Sequence, residues 1–109
     1  MSFAVDTTQG FEREAKRLLK RYASLADDIA ELIEQLEDEP HLGAPLGRGC
    51  YKVRMSIRSK GKGKSGGARV ITCVVAVRET VYLLSIYDKS DQESINDARL
   101  KEMLEELGI

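Results

Sequence analysis

Eight of the 17 lysines and arginines fall within Arg48–Arg69, RGCYKVRMSIRSKGKGKSGGAR, and none of the 18 acids does. They are Arg48, Lys52, Arg54, Arg58, Lys60, Lys62, Lys64 and Arg69. The whole chain carries a formal net charge of -1, so positive charge here is segregated rather than abundant. A segregated basic segment points to a polyanion, with phosphate the first choice. RNA brings its own nucleophile, the 2′-hydroxyl. Cleaving it needs a base for that proton, positive charge on the developing phosphorane and an acid for the leaving 5′-oxygen, with no metal or other cofactor required. Arg54 and Arg69 stay charged and suit the transition-state oxygens. A lysine crowded by like charge can serve as the base, because its charged form is disfavoured. Lys52 and Lys89 are the candidates. Tyr87 can stack on a splayed base or donate a proton. Arg58, Lys60, Lys62 and Lys64 are expected to hold RNA by charge alone. From the residues alone three readings stay open: catalysis, nucleic-acid binding without turnover, and a solvated basic face.

The elements that must position these groups can be read from periodicity. Tyr51, Val53, Met55 and Ile57 alternate with Lys52, Arg54, Ser56 and Arg58, which predicts a strand with an apolar back and a basic front. Ser59–Gly67 is rich in glycine and lysine and predicts a flexible hairpin connection. Arg69–Val77 is apolar on both faces, the pattern of a central strand. Arg78-Glu79-Thr80 reads as a turn. Val81–Lys89 reads as a last strand, with Ser85, Tyr87 and Lys89 on one face and Leu84, Ile86 and Asp88 on the other. In an antiparallel meander of these three strands, Arg58, Arg69, Tyr87 and Lys89 converge, with Arg54 further in.

The remainder is scaffold. Ser2–Asp6 predicts an opening strand, and Thr7 or Thr8 a helix cap. Two helical stripes follow: Phe11, Ala15, Leu18, Leu19 and Tyr22, then Leu25, Ile29, Leu32, Ile33 and Leu36. Ser24 with Asp27 predicts a capping box at the second, and Pro40 ends it. Asp27, Asp28, Glu31, Glu34, Glu37, Asp38 and Glu39 are expected on its solvated face. His41–Gly49, with Gly43, Pro45, Gly47 and Gly49, reads as loop. Leu100, Met103, Leu104 and Leu107 mark a C-terminal helix that starts at a Ser90/Glu93 or Ser94/Asp97 box and stops at Gly108. Tyr22 and Tyr82 are expected in the core. The fold class is α+β: a small, mostly antiparallel sheet with an N-terminal strand, a helical hairpin on one face and a C-terminal helix, in the order β-α-α-β-β-β-α. One domain over 1–109 is expected.

Several classes are disfavoured. No apolar run is long enough to span a membrane, and the N-terminus has no secretory pattern, so a cytoplasmic protein without a membrane partner is expected. Cys50 and Cys73 lack metal spacing and read as small buried hydrophobes, with a disulfide or a catalytic thiol as the alternative. One histidine, His41, leaves too few ligands for a His/Cys metal site. Gly63-Lys64-Ser65 imitates part of a phosphate-binding loop, but the glycine required five residues earlier is Arg58, and a strand follows instead of a helix.

YKVRM, then SKGKGKSGGARVI, then LLSIYDKSD before a terminal helix resembles the RelE/ParE superfamily of bacterial toxins, in its RelE/HigB-like branch. The resemblance extends over nearly the whole chain. It implies the RelE-like fold and a toxin of a type II toxin–antitoxin module. It further implies a metal-independent mRNA endonuclease that works in the A site of the 70S ribosome and inhibits translation. A helix-turn-helix antitoxin is the implied partner. The family's cleaving positions fall on Lys52 and Arg54, on Arg69, and on Tyr87 or Lys89. The gyrase-inhibiting, ParE-like branch and a non-catalytic RNA- or DNA-binding module are the alternatives. No histidine stands near the last position and no acid on the Lys52 strand, so branches that rely on those do not match.

Overall fold

Thr8 caps the first helix: its backbone is extended and its hydroxyl accepts the Phe11 N–H (3.2 Å). The computed structural model describes residues 2–108. Thr8 separates strand β1 (Ala4–Thr7) from helix α1 (Gln9–Leu19). Helix α2 (Leu25–Asp38) returns antiparallel-fashion after a short break and stops before Pro40. The Ser24/Asp27 box does not form. Ser24 already has helical backbone angles, and its hydroxyl donates instead to Asp28 Oδ2 (2.7 Å). Ser24 Oγ also accepts the Ser59 N–H (2.9 Å), and Asp28 accepts the Arg58 N–H (3.2 Å). Asp28 is therefore buried, not solvated with its acidic neighbours, because it satisfies the 3₁₀ turn Arg58–Lys60.

Five strands make one sheet: β1, β2 (Ala44–Gly47), β3 (Cys50–Met55), β4 (Ala68–Val75) and β5 (Thr80–Asp88). Their spatial order is β1-β5-β4-β3-β2, with β1 parallel to β5 and the other pairs antiparallel. Strand β2 lies inside His41–Gly49, which the sequence marks as loop. Glycine and proline are poor strand residues, but an edge strand tolerates them. This one pairs Ala44 with Lys52 and is bulged between Pro45 and Gly47.

Both faces of the sheet are covered, which explains why β4 is apolar throughout. On one face α1 and α2 bury Phe11, Leu18, Leu25, Leu32 and Leu36 against Val53, Met55, Val70, Leu83 and Ile86. On the other, helix α3 (Asp97–Leu107) brings Leu100, Met103 and Leu104 over Cys50, Ile71, Cys73, Leu84 and Tyr87. A bulge where Ile71 gives way to Thr72 breaks the alternation expected on β5. Leu84 consequently shares the α3 side with Tyr87, while Ser85 donates its hydroxyl to Glu14 of α1 (2.8 Å). The cap of α3 is Asn96, whose side chain accepts the Arg99 N–H (2.8 Å), so neither serine box is used. Gly108 ends α3 at φ 82°, a left-handed angle that suits glycine.

Candidate nucleic-acid interface

Register decides which cations meet. Arg54 on β3 pairs directly with Arg69 on β4, and Arg69 pairs directly with Tyr87 on β5. Arg54, Arg69 and Tyr87 thus form one row across three strands, and Arg54 is in the row rather than further in. Lys52 stands two residues along β3 from Arg54, on the same side of the strand. Like charges directly opposite one another destabilise a sheet. Here the Arg69 guanidinium turns away to backbone carbonyls, which leaves Arg54 as the exposed charge of the pair.

Strand β2 stops pairing at Lys52, so the β3 edge beyond it is open. Along that edge runs a groove of about 590 Å³ lined by Gln35, Gly43, Lys52, Arg54 and Lys64. A smaller hollow continues past Arg54 and Lys64 towards Ser56 and Arg58. Lys52, Arg54 and Lys64 form no ion pair among the described residues. Gly43 lets the chain pass beneath: a Cβ there would sit 2.6 Å from the Lys52 carbonyl oxygen. Gly67 is equally constrained, because a Cβ would collide with the Met55 carbonyl oxygen at the start of the β3/β4 ladder.

Arg69 is 4% exposed. Its guanidinium donates to the carbonyls of Lys64 (3.0 Å), Ser65 (3.1 Å) and Ala68 (3.0 Å), so it meets dipoles rather than a carboxylate. It ties the Lys/Gly loop to the sheet and fixes where Lys64 starts. Tyr87 is also buried, with its ring in the α3-side core, so it has no free face on which a base could stack. Its hydroxyl has no hydrogen-bond partner among the described residues. Burial raises its phenol above the ordinary value, opposed by the Arg69 charge and by the nearby Ser94. Lys89 is exposed just past the end of β5, and its N–H donates to the Gly67 carbonyl (3.1 Å).

Two cations expected at this surface are committed elsewhere. Arg58 does not join the row: Asp28 (3.0 Å) and Glu31 (3.0 Å) of α2 hold it. Lys60 is not a free loop lysine. Its Nζ donates to Asp88 Oδ1 (2.6 Å) and Ser90 Oγ (2.8 Å). The Asp88 side chain is 0% exposed and also accepts from the Tyr22 hydroxyl and from Arg21 (3.4 Å). Burial alone would raise the Asp88 carboxyl. Hydrogen bonds from Lys60, Ser90 and Tyr22 outweigh it and hold the group well below the usual carboxylate range. Asp88 therefore joins the end of α1, the Arg58–Lys60 turn and the segment after β5. The connection expected to be flexible is pinned at both ends, with Lys62 and Lys64 exposed between the anchors. The sequence signal for Asp88 was a lone acid ending an apolar strand, close to a segment with none. Tyr22, expected as core, is half-buried because its hydroxyl serves this hub.

His41 is exposed, edge-on to Tyr51 at 5.7 Å between ring centroids. Among the described residues, no three of His, Cys, Asp and Glu converge so as to hold a metal ion. A larger, mainly apolar groove of about 660 Å³ lies between α1 and α2, away from the basic row.

A family model described as the RelE toxin of the RelE/RelB toxin–antitoxin system matches residues 5–107. The chain belongs to the RelE toxin family. Its fold is that of solved RelE structures. A chain of the RelBE2 toxin–antitoxin complex of Mycobacterium tuberculosis is 23% identical over 84% of this chain and 95% of that one, with a TM-score of 0.62. The isolated RelE toxin of E. coli is 14% identical, over 97% of this chain and 99% of that one, with a TM-score of 0.60. A chain of the intact E. coli RelBE complex gives 14% identity over 80% and 96%, with a TM-score of 0.61. No helix of this RelE-family toxin is, among the described residues, long and apolar enough to cross a membrane.

Proposed function

We propose that this toxin cleaves mRNA on the ribosome and thereby stops translation. Lys52, Arg54 and Lys64 grip the phosphate backbone along the β3 edge. Arg54 lies closest to the scissile phosphate and offsets charge on the phosphorane oxygens. Lys52 is the candidate base for the 2′-hydroxyl, with Lys89 the alternative. Tyr87 is the candidate acid for the leaving 5′-oxygen, a role that requires its buried hydroxyl to be uncovered when RNA binds. Arg69 acts through the loop it holds, as a positioning residue. Lys62 adds charge for ribosomal RNA, whereas Lys60 and Arg58 are structural. Hydroxyl, base and acid account for the proton balance without a metal.

The single observation that carries this reading is the Arg54/Arg69/Tyr87 row beside unpaired Lys52 and Lys64. Lys52, Arg54 and Lys64 share one open edge with no acid paired to them among the described residues, and an anion lying along that edge would offset their mutual repulsion. The partner we propose is a helix-turn-helix antitoxin that binds and silences the toxin; the RelBE structures are toxin–antitoxin complexes, which supports an antitoxin partner of some kind. Induced expression should halt protein synthesis, and primer extension should map breaks inside translated messages. Arrested growth with intact mRNA and relaxed DNA would favour the gyrase-inhibiting alternative.

A further inference from the structure

Cys50 and Cys73 are the only cysteines, and no step of the proposed cleavage uses them. They are direct cross-strand partners on β3 and β4. The neighbouring Val74 N–H donates to the Gly49 carbonyl (2.9 Å), which makes Gly49/Val74 a hydrogen-bonded pair. By alternation, Cys50/Cys73 is a non-hydrogen-bonded pair, the kind whose Cα atoms lie about 4.5 Å apart with side chains close. A disulfide spans that distance. Both side chains point into the α3-side core, and both thiols are free.

We propose that Cys50 and Cys73 are a cross-linking site, which a low-molecular-weight disulfide converts into an intrachain bond joining β3 to β4. The Cys50 partner holds the Cys73 thiol down against the opposing effect of burial. The same contact, with burial, pushes Cys50 up. Cys73 is thus the first thiolate. It attacks one sulfur of the small disulfide and releases a thiolate. Cys50 then gives up its proton and attacks the Cys73 sulfur, the protein disulfide forms, and the second small thiol leaves. Two protein thiols are oxidised and one small disulfide is reduced to two thiols. The closed loop contains every cation of the basic segment except Arg48, so the bond would fix the strand pair that carries Arg54 and Arg69.

Access is limited by α3. Cys50 is 1% and Cys73 2% exposed, under Leu100, Met103 and Leu104. One ion pair, Arg48–Asp97 (3.3 Å), ties the start of that helix down. Oxidation therefore proceeds through local opening of α3.

The test treats the full chain, reduced and native, with glutathione disulfide, followed by quenching, unfolding, thiol counting and intact mass. The expected product is a monomer that has lost two hydrogens, carries no glutathione and unfolds at a higher temperature until dithiothreitol reverses the change. Leu104→Ala should speed its formation by about tenfold or more, by easing the opening of α3. Cys50→Ser should stop at a glutathione adduct on Cys73. Two free thiols after prolonged oxidation, stable glutathione adducts on the unmutated chain, or dimers instead of a monomeric product would each overturn the proposal. The readout needs no nuclease activity, so it stands or falls apart from the cleavage reading.

Discussion

Replacing Lys60 with methionine separates a strut from an RNA contact. The substitution keeps most of the apolar stem and removes the ammonium. In the native protein that ammonium lies 2.6 Å from a carboxylate whose side chain is wholly buried, and the lysine side chain itself is 12% exposed. Removing one partner of a buried pair costs about 3–5 kcal/mol, because the other charge stays buried. Asp88 would keep the Tyr22 and Ser90 donors and the more distant Arg21, so the low end, about 3 kcal/mol, applies here. With a urea slope of about 1–2 kcal/mol/M for a chain of this size, the midpoint should fall by roughly 2 M. Lys62→Met and Lys64→Met, made at exposed positions of the same loop, should each stay within about 0.5 kcal/mol. Adding Asp88→Asn to Lys60→Met should cost less than the sum of the two single changes, with about 1 kcal/mol or more of coupling. The pH dependence follows from the same contact. The Asp88 carboxyl is depressed in the folded state, so its contribution is complete above the unfolded value near 4 and fades as pH falls towards the folded one. The native chain should lose stability steeply below about pH 5, and Lys60→Met less steeply, since its carboxyl is less depressed. Equal urea midpoints for Lys60→Met and Lys62→Met would refute the assignment of Lys60 as a strut.

Other consequences can be checked together. Lys62→Ala with Lys64→Ala should leave the fold intact, weaken ribosome association and flatten its salt dependence, read by sedimentation binding at several salt concentrations. Tyr87→Phe removes a buried hydroxyl without a partner, so urea stability should be unchanged or up to about 1 kcal/mol higher. Cleavage rate should fall in the same variant, and unaltered cleavage would remove Tyr87 from the proton chemistry. Gly67→Ala forces a Cβ into the Met55 carbonyl and should lower stability by more than about 2 kcal/mol, measured by thermal or urea unfolding.

Much of this fold can be read from periodicity and caps. Thr8 is the cap it looks like, the two apolar stripes become the hairpin, and the alternation around Val53 and Met55 gives a strand with the expected apolar back. The Arg69–Tyr87 meeting follows from antiparallel connectivity alone. What stayed hidden were long-range polar contacts. Ser24/Asp27 carries the local pattern of a capping box, yet Asp28 wins the serine because the distant Arg58–Lys60 turn needs an acceptor. Lys60 looks like Lys62 and Lys64 in a Gly/Lys-rich loop, and only the tertiary position of Asp88 sets it apart. A single bulge on β5 was enough to put Leu84 beside Tyr87 and Ser85 against Glu14. Pro45 and its glycines concealed an edge strand, since local propensity cannot anticipate a partner such as β3.

The central claim is that cations on the β3 edge and the adjoining row break RNA rather than merely bind it. The direct measurement follows single-round cleavage of a defined mRNA on purified, programmed ribosomes, with native toxin and Arg54→Ala compared at saturating toxin, and with ribosomes omitted as the control. Site-specific cuts should need the ribosome and slow by about 10²–10³ in Arg54→Ala while ribosome binding persists. Equal rates for the two proteins, or no cuts by the native toxin bound to the programmed ribosome, would contradict it.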